Sequence, residues 1–355
     1  MGHNSSSLRG RDPASSQRSF TDVRGGEKRF DISNIRAHTS SPAAIADSSQ
    51  SFVKDNQQAL STSNAHQFHY VDGRRFLNVR GIKYIMPSDE EEIDRLQMLH
   101  YIYRYLFQGN FSAPIREDLE RGIKVLDAGC GPGSWTMEMA TEFSRSSFVG
   151  VDIANSFPST IVPSNCTFRI VNLVEPLPFE DEEFDYVCLR GMALAFTREQ
   201  WPFVLAELTR VLKRDGYLEW TESDHEFKRR GPTLTKLNDQ VLFSLRARDL
   251  SPSIARNLHK YLYQSKNMTN ITKKYVSIPI GRWGGRCGEL ARSDFLSVMT
   301  ALKPSLLMAL GASNEEYDMM TEQSLQEFEE YKTYNNIYVV TAQKAPRDDK
   351  ENNQN

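Results

Sequence analysis

The chain has 355 residues, 39% of them hydrophobic, and a formal charge of −3 at pH 7. That length allows two domains or one elaborated α/β domain, and a charge so close to zero gives no reason to expect nucleic acid or another polyanion as a partner. No run of about eighteen apolar residues marks a membrane span, and no apolar signal segment opens the chain. Four cysteines, Cys130, Cys166, Cys188 and Cys287, are scattered without metal-like spacing. They read as reduced thiols in a cytoplasmic or nuclear protein, and no metal site is expected.

Residues 1–65 are rich in Ser, Asn, Gln and Arg and poor in large apolar residues. Such a segment cannot bury enough surface to offset its chain entropy, so a disordered tail is expected, as it is for 345–355. The opening Met1-Gly2-His3-Asn4-Ser5-Ser6 matches the minimal myristoylation pattern at Gly2. Arg9, Arg11 and Arg18 read as solvation or phosphosite context, and the tail is a candidate surface for protein partners. From Phe68 to Met86, β-prone residues alternate with turns such as Asp72-Gly73, which predicts a small hairpin over the ligand site. Ser88-Asp89-Glu90-Glu91 reads as a capping box, with Ser88 as the cap of a helix running to about Leu106. Its stripe of Ile93, Leu96, Leu99, Ile102 and Tyr103 predicts core packing.

Residues 123–133 (Ile-Lys-Val-Leu-Asp-Ala-Gly-Cys-Gly-Pro-Gly) carry the strongest functional signal. A short apolar run ends at Asp127, glycines follow at 129, 131 and 133, and a helical pattern starts with Trp135, Met137, Met139 and Ala140. That is a buried strand turning sharply into a helix, the place where ligands bind in open α/β sheets. The spacing is G-x-G-x-G, and Ser134 stands where a dinucleotide fingerprint needs its third glycine. An acid two residues before the first glycine argues against a pyrophosphate and for a cation. The methionine end of S-adenosylmethionine carries two positive groups, an ammonium and a sulfonium. A bare strand–helix turn remains the alternative.

Downstream, Ser147–Asp152 reads as a second strand ending in an acid, nineteen residues beyond Gly133. A carboxylate there can accept both ribose hydroxyls, or it can cap a helix. Thr167–Val171 reads as a third strand leading to Asn172-Leu173 and Leu177-Pro178-Phe179, a polar side chain plus an apolar segment suited to adenine. Phe184–Arg190 follows as a fourth strand, Thr197–Lys213 as an amphipathic helix closed by Asp215-Gly216, and Tyr217–Thr221 as a fifth strand.

In order, spacing and identity, residues 120–222 resemble class I S-adenosylmethionine-dependent methyltransferases. More closely, the chain resembles the fungal LaeA-like methyltransferase-domain proteins. The pre-helix 84–107 and the segments 279–289 and 331–344 extend the likeness to about 70–344. The resemblance implies an α/β fold: a seven-stranded, mostly parallel Rossmann-like sheet with an antiparallel last strand, helices on both faces and a helical insert before that strand. It also implies a cofactor set of Asp127, Ala128, Gly129, Cys130, Gly131, Gly133, Trp135, Asp152, Ile153, Asn172, Leu173 and Arg190. Within it, Asp127 and the glycines face the methionine end, Asp152 the ribose, and Asn172 with Leu173 the adenine. Asn172 stands where Asp is common, keeping the acceptor and losing the charge. In this superfamily a helix before the core commonly lids the cofactor.

Beyond the fifth strand, helical patterns run around Leu234–Arg248 and Ser253–Tyr263, and Val276–Ile280 and Asn336–Ala342 read as the last two strands. Two or three helices are expected between Glu289 and Tyr331, where insertions build the acceptor site. The loop Gly281–Arg286 reads either as part of that site or as a turn leaving the sheet. The fourth strand ends in Leu189-Arg190-Gly191-Met192, without an Asn-Pro-Pro-Tyr motif or a Pro-Cys nucleophile. Glu222 and His225 are candidate bases by position, set against a reading as surface polar residues. The expected organisation is a methyltransferase domain at 66–344, with a cap at 66–119, a core at 120–222 and a substrate-side region at 223–344. Its expected function is methyl transfer from S-adenosylmethionine to an unidentified acceptor, a small molecule or a protein. The rivals are a regulatory protein that binds the cofactor with little turnover and a nicotinamide oxidoreductase, which the glycine spacing disfavours.

Overall fold

Apolar side chains alternate along the central strands, and that alternation sets the layers. In β3 (Lys124–Ala128), Leu126 and Ala128 join one buried cluster with Val187 and Leu189 of β6 (Phe184–Arg190). Val125 joins the opposite cluster with Tyr186 and Cys188. A sheet apolar on both faces must be covered on both. The computed structural model describes residues 68–79 and 81–346; the Ser-rich tail with its Gly2 pattern, and the chain beyond 346, lie outside the described residues.

The main sheet has seven strands. Their order is β5 (Cys166–Ile170), β4 (Ser147–Asp152), β3, β6, β7 (Leu212–Ser223), β9 (Tyr334–Lys344) and β8 (Met268–Pro279). Neighbours from β5 to β7 pair in parallel, and β9 runs antiparallel to both β7 and β8. This is the Rossmann-like sheet with the antiparallel last strand that the sequence implied.

On one face, α2 (Arg116–Arg121) and α3 (Ser134–Glu142) bury Leu119, Trp135 and Met139. On the other, α4 (Gln200–Val211) and α6 (Ile254–Gln264) bury Trp201, Leu208, Leu258 and Leu262. A third cluster joins α1 (Glu90–Phe107), α5 (Pro232–Ala247), α7 (Gly285–Leu310) and α8 (Asn314–Tyr331) beside β8 and β9, through Tyr103, Leu237, Phe295 and Phe328. Among the described residues, no single helix is long and apolar enough to cross a membrane.

Several boundaries differ from the sequence reading. The cap of α1 is Asp89 rather than Ser88: Asp89 Oδ1 accepts the Glu92 N–H at 3.2 Å. The same carboxylate takes Nε and Nη2 of Arg74, each at 2.8 Å. The cap therefore ties the helix to the hairpin β1 (Phe68–Val71) and β2 (Arg74–Leu77), whose turn residues Asp72 and Gly73 both have positive φ. Strand β8 starts at Met268 rather than Val276. It is an edge strand paired only with β9, and its outward Lys273 and Lys274 hide it from an apolar count. Two helices fill the insert, and residues 281–286 form a turn into α7, with Glu329 accepting the N–H groups of Arg282 and Trp283.

Trp201 is fully buried, its ring centroid 4.5 Å from that of Trp220 and edge-on to Phe196 at 4.9 Å. Trp201→Ala should cost about 3–5 kcal/mol in denaturant unfolding, the range for removing a large buried aromatic. A loss under about 1 kcal/mol would show that this layer does not support the sheet.

Candidate functional site

The glycine turn leaves the carboxyl end of β3 and is fastened to β4. Val151 O accepts the N–H of Gly129 at 2.8 Å and of Cys130 at 3.0 Å. Asp152 Oδ2 accepts the Gly131 N–H at 2.9 Å, while its Oδ1 accepts the Ala154 N–H at 2.9 Å. No helix follows Asp152, so the helix-cap reading has nothing to cap. Gly129, Gly131 and Gly133 have φ of 76°, 53° and 74°, a region that favours glycine. At Gly129 a Cβ would also collide with Met192 Sδ, whereas at Gly131 it would meet only Leu96 Cδ1, at 3.6 Å. Beneath the turn, Asp127 is 2% exposed, and its Oδ2 accepts the Thr136 hydroxyl at 2.6 Å. Burial pushes its carboxyl up to about 6, against the opposing pull of the Arg190 guanidinium.

A cavity lies against this turn. Asp127, Gly129, Cys130, Gly131, Trp135, Asp152, Ile153, Asn172, Leu173 and Arg190 all line it. Ala128 and Gly133 do not: Ala128 packs into the sheet core, and Gly133 precedes α3 against the Phe168 ring. Arg190 Cζ sits 5.4 Å from the centroid of the Trp135 ring, and its Nε is buried without a hydrogen-bond partner among the described residues. Its Nη2 is 3.5 Å from His100 Nδ1, and His100 Nε2 is 2.7 Å from Glu138 Oε2. The Asn172 side chain is partly engaged in a turn: Oδ1 accepts the Val174 N–H at 3.2 Å, and Nδ2 donates to Glu175 Oε1 at 2.9 Å.

Helix α1 forms the opposite wall with Leu96, Leu99, His100 and Tyr103, and Tyr84 closes one side. The sequence reading gave the α1 stripe to core packing, with a lid over the cofactor as what the resemblance implied, and did not single out His100, Tyr84 or Met192 as site residues. His100 lies four residues after Leu96 and three before Tyr103, on one helix face, and that spacing was the available signal.

A second cavity adjoins the first, sharing Met86, Arg95, Leu99, Tyr103, Gly191 and Leu194 with it. Glu222 and His225 line this one and not the first. Glu222 is no surface residue: it is 1% exposed, and three donors hold it. Its Oε1 accepts the Met192 N–H and the Trp220 indole N–H, each at 2.9 Å, and Oε2 accepts the Ala193 N–H at 3.0 Å. The carboxylate thus clamps the turn after β6. Burial nevertheless pushes its carboxyl up to about 7, and burial pushes the His225 imidazole down to about 4.

A raised carboxyl means that the folded chain keeps a proton the unfolded chain has already released. Stability from Glu222 is therefore fully present below its unfolded value of 4.5 and is lost as pH rises to about 7, by up to about 3 kcal/mol. Denaturant unfolding across that window should fall more steeply with pH for the wild type than for Glu222→Gln. Equal slopes would place the proton elsewhere.

Comparison with known proteins follows the same lines. A family described as a methyltransferase domain matches residues 125–216. Methyltransferase pytC of Aspergillus terreus is 28% identical over 269 residues, covering 72% of this chain and 81% of that protein. The secondary metabolism regulator LAE1 of Cochliobolus heterostrophus is 27% identical over 230 residues, covering 62% and 73%. The protein-methionine methyltransferase laeA of Emericella nidulans is 28% identical over 173 residues, covering 46% and 43%. With the domain match, the relatives and the seven-stranded sheet together, residues 125–216 carry a methyltransferase domain, and the chain resembles class I S-adenosylmethionine-dependent methyltransferases, the LaeA-like proteins among them.

Proposed function

We propose that the first cavity is the cofactor site and that the chain transfers the methyl group to an acceptor held next door. The observation that carries this is the presence of opposite charges, the buried Asp127 and the half-buried Arg190, in the wall beside the glycine turn. An amino-acid zwitterion needs that arrangement: Asp127 receives the ammonium, and the unpartnered Arg190 Nε meets the carboxylate. Asp152 uses the remaining lone pairs of its two oxygens for the ribose hydroxyls. Asn172 and Leu173 take the adenine, Asn172 through the second lone pair of Oδ1.

Bound S-adenosylmethionine supplies a methyl group already activated on a sulfonium, so positioning is the protein's main task. The glycines bring bare backbone to the wall, and α1 with Tyr84 covers the site from water. Glu222 positions the turn carrying Met192 and Ala193 and, with every oxygen engaged, serves there as a clamp. Residues 66–344 act as one methyltransferase domain, with the cap, core and substrate-side regions divided near residues 119 and 222. Free thiols, three of them buried, suit a reducing compartment such as the cytosol or nucleus.

Asp152→Ala should weaken affinity for S-adenosylhomocysteine roughly ten- to several-hundred-fold, because charged hydrogen bonds contribute about 1.5–3 kcal/mol each. Asp152→Asn should lose less, since one acceptor oxygen remains. Both variants should also melt lower, because the Gly131 and Ala154 N–H groups lose acceptors. Calorimetric titration and melting temperature measured on the same samples separate the two effects. A lower melting temperature with unchanged affinity would remove Asp152 from the site.

A further inference from the structure

The second cavity selects its occupant by what its walls lack. Its surface is built from the substrate-side elements, with Phe227, Leu234, Val241, Ile278, Phe295 and Met299 contributing apolar area. Arg95 is the one cation among the described residues of its lining, and that charge is already matched. Nε and Nη2 of Arg95 donate to Glu92 at 2.7 and 2.6 Å, and Nη1 donates to Asp294 at 2.8 Å. A carboxylate or phosphate entering here would be desolvated without a counter-ion. A cationic acceptor fares no better: Asp294 is paired with Arg95, the buried Asp224 faces Arg256 and Lys228 at 3.4 and 3.7 Å, and Glu222 is held by three N–H donors.

Most other polar side chains in the lining are committed. Asn335 Nδ2 donates to Ser223 Oγ and to Asp224 O, while Asn238 Nδ2 donates to the His225 carbonyl. The His225 ring is different. Its Nε2 is buried with no hydrogen-bond partner among the described residues. Burial also keeps the ring neutral at physiological pH, so one ring nitrogen carries a free lone pair and can accept a hydrogen bond. Leaving such a group unpaired is costly, and a ligand carrying a hydrogen-bonding group would remove that cost.

We propose that this cavity binds the methyl acceptor, and that the acceptor is a neutral, largely apolar small molecule whose hydroxyl donates to the His225 ring. The proposal rests on the first cavity holding the cofactor; the walls shared through Leu99, Tyr103 and Leu194 set the two ligands side by side. During transfer, the hydroxyl oxygen forms its bond to the methyl carbon, and the carbon–sulfur bond breaks with its electron pair left on sulfur. The hydroxyl proton passes to His225, which later releases it to water.

Calorimetry on the full chain, saturated with S-adenosylhomocysteine, tests this with naphthol as the neutral hydroxyl probe and naphthoate as its charged counterpart. Naphthol should bind, and naphthoate should bind at least about tenfold more weakly. Val298→Trp and Ala291→Trp both fill the cavity from α7, and Val298 is only partly buried, so that variant should fold. Each should weaken naphthol at least about tenfold while S-adenosylhomocysteine affinity stays within about twofold. His225→Phe keeps the ring's bulk and should weaken naphthol about three- to tenfold, the value of one lost hydrogen bond. Naphthoate binding as tightly as naphthol, or filled variants binding naphthol normally, would overturn the proposal. So would methylation of a methionine-bearing peptide by a protein that binds no naphthol. Failure of S-adenosylhomocysteine itself to bind would instead overturn the cofactor site, so the two readings fail separately.

Discussion

The Asp152 carboxylate holds the functional end of this molecule together. One oxygen takes the Gly131 N–H and the other the Ala154 N–H, so the end of β4 fixes the turn that leaves β3. The carbonyl of Val151 adds two further N–H groups from the same turn. A loop of glycines has high conformational entropy when free, and these bonds hold it in one positive-φ path. Everything that lines the first cavity is placed relative to that path. Met192 packs where a Gly129 side chain would be, and Leu96 of α1 faces the open side of Gly131.

The site carries charges that burial disfavours. Asp127, Glu219 and Glu222 are buried acids and Asp152 is a half-buried one; desolvation pushes all four carboxyls above their usual range. Backbone N–H donors offset part of that cost at Asp152, Glu219 and Glu222, and a hydroxyl does so at Asp127. Such clustering of perturbed groups at one end of a sheet is characteristic of functional sites, where stability is given up for a poised ligand environment. Beside these acids, the Arg190 guanidinium lies over the Trp135 ring, and its Nε has no hydrogen-bond partner among the described residues.

What the sequence revealed depended on whether the signal was local. The strand–turn–helix at 123–133, the acid at Asp152 and the five parallel strands were legible because alternation, glycine and acid fall within a few residues of each other. Of the twelve residues expected to bind the cofactor, ten line the first cavity. Ala128 and Gly133 belong to the same local motif but serve the backbone, a distinction that motif spacing cannot express. His100, Tyr84 and Met192 were missed because they reach the cavity from distant segments through tertiary packing. Strand β8 was cut short because an edge strand turns lysines outward, and the α1 cap was misplaced by one residue because Asp89 serves both Glu92 and Arg74. Glu222 and His225 were found by position after a strand, yet only the fold shows that three donors hold Glu222 while His225 Nε2 has no partner among the described residues.

The proposed site requires that the glycine turn with Asp127 and Asp152 take the aminoacyl and ribosyl ends of S-adenosylmethionine rather than a dinucleotide. Calorimetric titration of the full chain with S-adenosylmethionine, S-adenosylhomocysteine and NAD tests it most directly. Binding of the first two in the micromolar range, with NAD far weaker, is the expected result; tighter binding of NAD would contradict it.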